Sequence, residues 1–336
     1  MNDAHRNEVY ELTRPGTIER RQVLLEPLAA DFVRLRYLSC GICGSDLSKF
    51  DGMGPVKLPY SLGHEFIAVV EDVGNAVEAV TVGQLVTSDL NYRCGTCDHC
   101  TANRSHLCRS GQRGLFTNRA FAALGDLHES YILPLDSVPA IHLILSEPLS
   151  CALHALKWGD PGVADRTLVI GAGGMGLCIA FALVNRVPPV PFDITDLSLD
   201  RLTALGSLLA PLGRARVDPP GDYDLVVDAS GSASGLVKGC AQVRDGGRLC
   251  MMSHLDLSSD GAFLLGALTR RDITFTVSYL NGPRETLADA ARMLSSSWNT
   301  DWNVVIERRP LTDLQSAFET RRVSPYCKTV IDVLGG

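Results

Sequence analysis

Four cysteines, Cys94, Cys97, Cys100 and Cys108, are separated by two, two and seven residues. Thiolates at such short spacings can converge on one ion, and a tetrahedral set of four sulfurs is the preferred shell of structural zinc. The intervening Gly95, Thr96, Asp98, His99 and Thr101 are small or polar, as a loop folded round a metal should be. A disulfide-rich loop is the competing reading. The polar first residues lack the apolar core of a secretory leader, so a reducing, cytoplasmic setting is expected and metal is favoured over disulfides. A closed shell of four sulfurs builds structure and seldom reacts.

A second constellation is rich in glycine. Gly171-Ala172-Gly173-Gly174-Met175-Gly176 follows the aliphatic run Thr167–Ile170 and opens a predicted helix, and Asp196 lies twenty residues beyond Gly176. In that context the first glycine permits a tight turn and the second lets backbone approach a pyrophosphate. The third allows close helix–sheet packing, and the helix N-terminus stabilises phosphate charge. Asp196 would accept hydrogen bonds from both ribose hydroxyls and repel a 2′-phosphate, so NAD is favoured and NADP stays possible. Its competing role is a turn or N-cap aspartate. Arg201 either swings toward a 2′-phosphate or lies on a solvated helix face.

The elements that must position these groups differ along the chain. Short β-like runs at 32–38, 66–70 and 84–88, punctuated by glycine and proline, read as an irregular β domain. After Glu147 strands and helices alternate. Helices are predicted at 149–158, 174–187 and 199–209, and strands at 167–170, 192–195, 224–228, 247–252 and 273–278. That alternation predicts an α/β, doubly wound parallel sheet of Rossmann type. A helix at 285–294 and a strand at 328–333 close the chain. The expected division is 1–148 plus 283–336 for the β-rich domain, with a metal lobe at about 91–110, and 149–282 for the nucleotide-binding domain.

A 336-residue chain with 46% hydrophobic and 21% charged residues has the composition of a globular protein. Its net charge of −7 argues against nucleic-acid and anionic-membrane partners. No apolar run reaches spanning length, since Glu147 and two histidines interrupt the longest, at 141–156.

Upstream of the cysteine cluster lie Cys43-Gly44-Ser45-Asp46 and Gly63-His64-Glu65. Alone, Cys43 and His64 read as a buried thiol and a core histidine. The order of motifs says more: 41–46, then 63–65, the four-cysteine lobe, Glu147-Pro148-Leu149-Ser150-Cys151-Ala152-Leu153-His154-Ala155, and the glycine-rich turn. In this order the chain resembles the zinc-dependent medium-chain dehydrogenases, the alcohol and polyol dehydrogenase superfamily, and within it the sorbitol dehydrogenase branch. The resemblance implies a GroES-like catalytic domain beside the Rossmann domain, and two zinc ions per chain. It implies a catalytic zinc on Cys43 and His64 with a carboxylate as third ligand: Glu147 matches that position in the polyol-dehydrogenase branch, while Glu65, next to His64, is either a ligand or a group that supports one; Cys40 and Cys151 are rivals for the same ion. It further implies that Ser45 takes the hydroxyl proton and Asp46 orients His64, with hydride passing between a nicotinamide cofactor and a secondary alcohol.

The substrate class it suggests is a polyol, cyclitol or sugar-derived alcohol or ketone. The alternatives are an NADPH-dependent ketone reductase acting on an aminocyclitol or amino sugar, and a catalytically inactive structural or redox-sensing protein. Similar enzymes form homodimers or homotetramers. The sequence departs from the pattern in several places, among them Pro188, Pro189 and Pro191 crowding the entry to the second strand and a short stretch between Arg216 and Tyr223. Leu47-Ser48-Lys49 stands where a histidine of the proton exit is common, and Gly174 stands where proline is common. The loops at 54–60 and 111–123 are expected to line the substrate pocket.

Overall fold

A computed structural model describes residues 6–53, 56–91, 93–110, 119–136, 138–252, 261–278, 280–297 and 299–333. Of the expected pocket loops, residues 54–55 and 111–118 lie outside this set.

Three sheets organise the described residues. Six parallel strands follow the order Gly213–Ala215, Phe192–Thr195, Thr167–Ile170, Tyr223–Asp228, Val243–Met251, Thr274–Val277. Numbered by position in the chain this is 3-2-1-4-5-6, the doubly wound order in which a dinucleotide binds outside the carboxyl ends, where the order reverses. Thr167–Ile170 is buried at every position, as a parallel strand covered on both faces must be.

Helix Gly174–Val184, seven of whose residues from Leu177 to Leu183 are buried in succession, is apolar all round. Such a helix must be covered on every side. It ends three residues short of the expected limit. Pro188, Pro189 and Pro191 follow and supply no backbone N–H, and strand Phe192–Thr195 begins directly after them. Helix Ser146–Gly159 starts earlier than its apolar pattern predicts. Its first turn holds Glu147 and Pro148, where a missing N–H costs nothing.

The larger β region is a seven-stranded sheet. Its main path runs Ile306–Pro310, Lys328–Asp332, Phe32–Gly41, Glu65–Val73, Leu85–Ser88, Ile132–Pro134, with Leu124–His128 also paired to Phe32–Gly41. The C-terminal strand therefore sits next to the first motif, more than 280 residues away in sequence. A smaller antiparallel sheet joins Thr17–Leu24, Arg6–Arg14 and Tyr60–Ser61. Sequence periodicity missed helix Ala233–Gln242, helix Gly261–Arg270 and strand Ile306–Pro310. The strand carries Glu307, Arg308 and Arg309 at the sheet edge, where apolar alternation is weak. No helix among the described residues is long and apolar enough to cross a membrane.

Candidate metal and cofactor site

Strand Phe32–Gly41 buries alternate side chains until its last three residues, which are all buried. Gly41 pairs with Glu65 on one side and Val330 on the other. A side chain on Gly41 would meet Glu65 Oε2 at 2.5 Å and Lys328 Cε at 2.7 Å. The missing Cβ leaves the gap across which Glu65 and Lys328 form a buried ion pair. Beyond Gly41 the chain turns through Cys43 into helix Gly44–Phe50.

Candidate ligand atoms of Cys43, His64 and Glu65 all lie within 4.8 Å of one another. Asp46 secures two of these residues. Its carboxylate accepts the Cys43 N–H at 3.2 Å and the Gly63 N–H at 3.4 Å, and lies 3.5 Å from His64 Nδ1. Burial disfavours charge on Asp46, but His64 beside it outweighs that and holds the carboxyl below its ordinary range. An imidazole so oriented presents Nε2 to the cluster in the manner of metal-ligating histidines. Ser45 Oγ is buried and has no hydrogen-bond partner.

Glu147 is buried but falls outside the three-residue set. Its Oε1 accepts the Cys151 thiol at 3.2 Å. Burial, reinforced by the charge of Glu65, pushes its carboxyl up to about 7. Cys40 and Cys151, the rival thiols, also stand outside the set, and burial raises both well above the ordinary thiol range. A thiolate, an imidazole and a carboxylate from three residues, with no fourth ligand grouped with them among the described residues, make a donor set suited to zinc with one open position.

The four-cysteine lobe is built locally. Sulfur pairs Cys94–Cys100 and Cys97–Cys108 are each 3.9 Å apart, and all four residues can share one ion. Thr96 Oγ1 and the Cys97 N–H donate to Cys94 Sγ at 3.5 and 3.4 Å, drawing that thiol down to about 5. Burial and then the neighbouring thiols push Cys100 up to about 12. Arg93 ties the lobe to the body. Its guanidinium pairs with Asp89 and donates to Ser105 Oγ and to the Gly282 carbonyl. Asp89 in turn accepts from Asn281 Nδ2 at 2.9 Å.

At the glycine-rich turn, Gly171 has φ +100°, and a side chain there would strike the backbone of Ala229 and Ser230. One on Gly176 would collide with the Gly171 carbonyl. A side chain on Gly173 would meet nothing within 4 Å, so protein packing does not require glycine there. That open space, at the N-cap of helix Gly174–Val184, fits the close approach of a pyrophosphate. Met175 is partly buried against the core.

Asp196 accepts the Ala172 N–H at 2.6 Å and the Ser198 N–H at 2.8 Å, which closes the turn around it. Arg201 does not lie on a solvated face. Its Nε donates to the Ser324 carbonyl at 3.0 Å and Nη2 to the Arg322 carbonyl at 3.1 Å, 4.0 Å being its approach to Asp196.

Sequence reasoning missed Lys328 and Asp228. A charged residue in the otherwise uncharged run from Cys327 to Ile331 was the available signal for the first. Asp228 ends the strand next to Thr167–Ile170; one of its oxygens accepts the Ser230 N–H at 3.0 Å, and the other is buried without a partner.

The chain is similar to known dehydrogenases in sequence and in fold. Residues 29–141 match the alcohol dehydrogenase GroES-like domain. D-arabinitol dehydrogenase 1 of Uromyces fabae is 30% identical over 265 residues, 74% of each chain. L-threonine 3-dehydrogenase of Saccharopolyspora erythraea is 30% identical over 335 residues, 91% of this chain and 92% of its own. Galactitol-1-phosphate dehydrogenase from Escherichia coli superimposes with a TM-score of 0.82 at 21% identity, covering 97% of this chain and 100% of that one. The chain belongs to the zinc-dependent medium-chain dehydrogenase/reductase superfamily. It is an oxidoreductase of the alcohol and polyol dehydrogenase kind.

Proposed function

We propose that this enzyme transfers hydride between NAD and a secondary alcohol or ketone of a polyol, cyclitol or sugar-derived substrate, with one catalytic and one structural zinc per chain. The observation that carries the reading is the convergence of Cys43, His64 and Glu65 within 4.8 Å, with Asp46 behind His64. In this reading Glu65 is the third ligand, and Glu147 stands close by as a carboxyl that burial keeps near neutrality. Cys94, Cys97, Cys100 and Cys108 hold the structural ion. The catalytic domain comprises 1–148 and 283–336, and the nucleotide domain 149–282.

Zinc in the open set supplies Lewis acidity to the substrate hydroxyl. Each protein group then has a distinct task. Asp46 fixes the ring of His64 and the backbone of Cys43, so the donor set does not reorganise during reaction. Ser45 Oγ would accept a hydrogen bond from the substrate hydroxyl, a role its unpartnered, buried oxygen permits. Lys328 offsets one negative charge of Glu65 and keeps the carboxylate from drifting. Gly173 admits the pyrophosphate to the helix N-terminus. Asp196, already held by Ala172 and Ser198, has lone pairs left for ribose hydroxyls.

Two features support NAD over NADP. Asp196 would repel a 2′-phosphate, and Arg201 is occupied by backbone carbonyls of 322–324. Homodimers or homotetramers are the expected assembly, by analogy alone.

Metal analysis and initial rates with NAD and NADP across neutral polyols, cyclitols and amino sugars test the reading. Two zinc ions per chain and turnover with NAD are expected. A preference for NADP overturns the role of Asp196, and one zinc with no turnover of any alcohol overturns the whole.

A further inference from the structure

Helix Gly44–Phe50 carries a second functional side chain that the chemistry above leaves unused. Ser45 and Lys49 are four residues apart on this helix and so occupy one face. Ser45 Oγ points into the protein without a partner, and Lys49 is half-buried beside it. The Lys49 ammonium lies 3.5 Å from the Ser45 carbonyl and 5.5 Å from the centroid of the Tyr60 ring. Tyr60 belongs to the short strand Tyr60–Ser61, anchored by its pairing with Leu12, so the ring is a fixed platform.

Neither contact neutralises the charge. Several other basic side chains withdrawn from solvent face an acid: Lys328 pairs with Glu65, Arg34 with Asp126, and Arg93 with Asp89. Arg284 and Arg321 have no such acid but direct two N–H groups each at backbone carbonyls. Lys49 has three N–H donors and a single long carbonyl contact. The carboxylate that feels its charge, Asp46, is fully buried and engaged with Cys43, Gly63 and His64. Partly burying an ammonium is unfavourable unless an anion meets it. Ser45, to which the substrate hydroxyl is assigned above, lies one turn away on the same face of the helix.

We propose that Lys49, seated on Tyr60, binds an anionic group of the substrate, so that the enzyme acts on a polyol bearing a carboxylate or phosphate in preference to a neutral polyol. This inference rests on the reading of Cys43, His64 and Glu65 as the alcohol site. Lys49 is then a specificity residue.

The test uses the zinc-loaded enzyme and three probes of matched carbon chain: D-sorbitol, D-gluconate and D-sorbitol 6-phosphate. Binding to the enzyme–NADH complex is measured by calorimetry, and kcat/KM is measured with NAD. At least one acid is expected to bind about 10- to 100-fold more tightly than sorbitol, the value of a charge-assisted contact. The two acid arms separate a carboxylate from a phosphate ligand. Lys49→Met should bring the preference close to one, while Lys49→Arg keeps most of it. Equal binding of sorbitol and both acids, or a preference that survives Lys49→Met, overturns the inference. Binding is read apart from turnover, so the two failures are distinct. Sorbitol oxidised with no acid preference leaves the dehydrogenase reading standing, whereas no NADH from any probe counts against that reading and leaves the Lys49 binding result to decide the inference.

Discussion

The two thiol-bearing regions of this protein hold their candidate metals in opposite ways. The lobe takes all four sulfurs from residues 94–108, with each cysteine half-exposed. The site at Cys43 draws its groups from the end of one strand, the start of another and the C-terminal strand, and its histidine and carboxylate are buried. A local, closed shell needs only a polar loop and its own backbone N–H donors, such as that of Cys97 on Cys94. An open site must hold separated charges in place without a fourth ligand. It does so with buried partners: Asp46 for His64 and Lys328 for Glu65. The lesson is that the reactive site carries the larger electrostatic cost and depends on tertiary structure to meet it.

Breaking each region in turn should separate their roles. Cys43→Ala is expected to lower kcat/KM by at least ~10³-fold, the worth of a few kcal/mol of Lewis-acid stabilisation, and to remove one of two zinc ions. Circular dichroism should show the fold retained. Cys97→Ala should instead remove the other ion and lower the melting temperature, because structural zinc contributes folding energy directly. If both variants lose the same ion, or if Cys97→Ala leaves stability untouched, the contrast fails.

Lys328→Met sharpens the comparison at the buried pair. In the zinc-free protein it strands the Glu65 carboxylate and should cost about 3–5 kcal/mol of stability in denaturant titration. Adding Glu65→Gln should recover part of that loss. An additive double variant would show that the two side chains do not interact.

A third measurement concerns the seam between the lobe and helix Ser146–Gly159. His154 is buried against His106, with ring centroids 4.7 Å apart, and accepts the Trp158 N–H at 3.3 Å. Burial, and then His106, bring its pKa down from 6.5 to about 4. A depressed histidine is neutral in the folded chain and protonated in the unfolded one between those values. Its contribution is therefore complete above about pH 6.5 and is lost progressively as pH falls toward about 4, amounting to up to about 3 kcal/mol. Unfolding titrations of His154→Gln across that interval should show a weaker pH dependence than the parent. An unchanged slope would remove His154 from the account.

The smallest effect is expected at the far end of the cofactor cleft. Arg201→Met should cost about 1–2 kcal/mol of stability through lost carbonyl contacts and leave the ratio of NAD to NADP efficiency unaltered. A shift of that ratio toward either cofactor would show that Arg201 acts on the adenosine end.

The lobe, the glycine-rich turn and the alternation of strands and helices were legible in sequence because each is local. Spacing of Cys94 to Cys108 brings ligands together without help from the rest of the chain. Gly171 and Gly176 report a turn whose close backbone contacts exclude a side chain at those two positions. The buried run Thr167–Ile170 has the pattern of a covered parallel strand. Tertiary structure decided which groups surround Cys43. Glu65 joins Cys43 and His64, while Glu147 lies outside their set with the Cys151 thiol on it. Lys328 reaches the site because strand Lys328–Asp332 pairs with Phe32–Gly41 and Gly41 has no side chain to block it. Arg201 is turned from solvent to the carbonyls of 322–324 by packing between distant segments. Periodicity carries which face of an element is covered, but charge compensation depends on which elements meet, and that is set only when the sheets assemble.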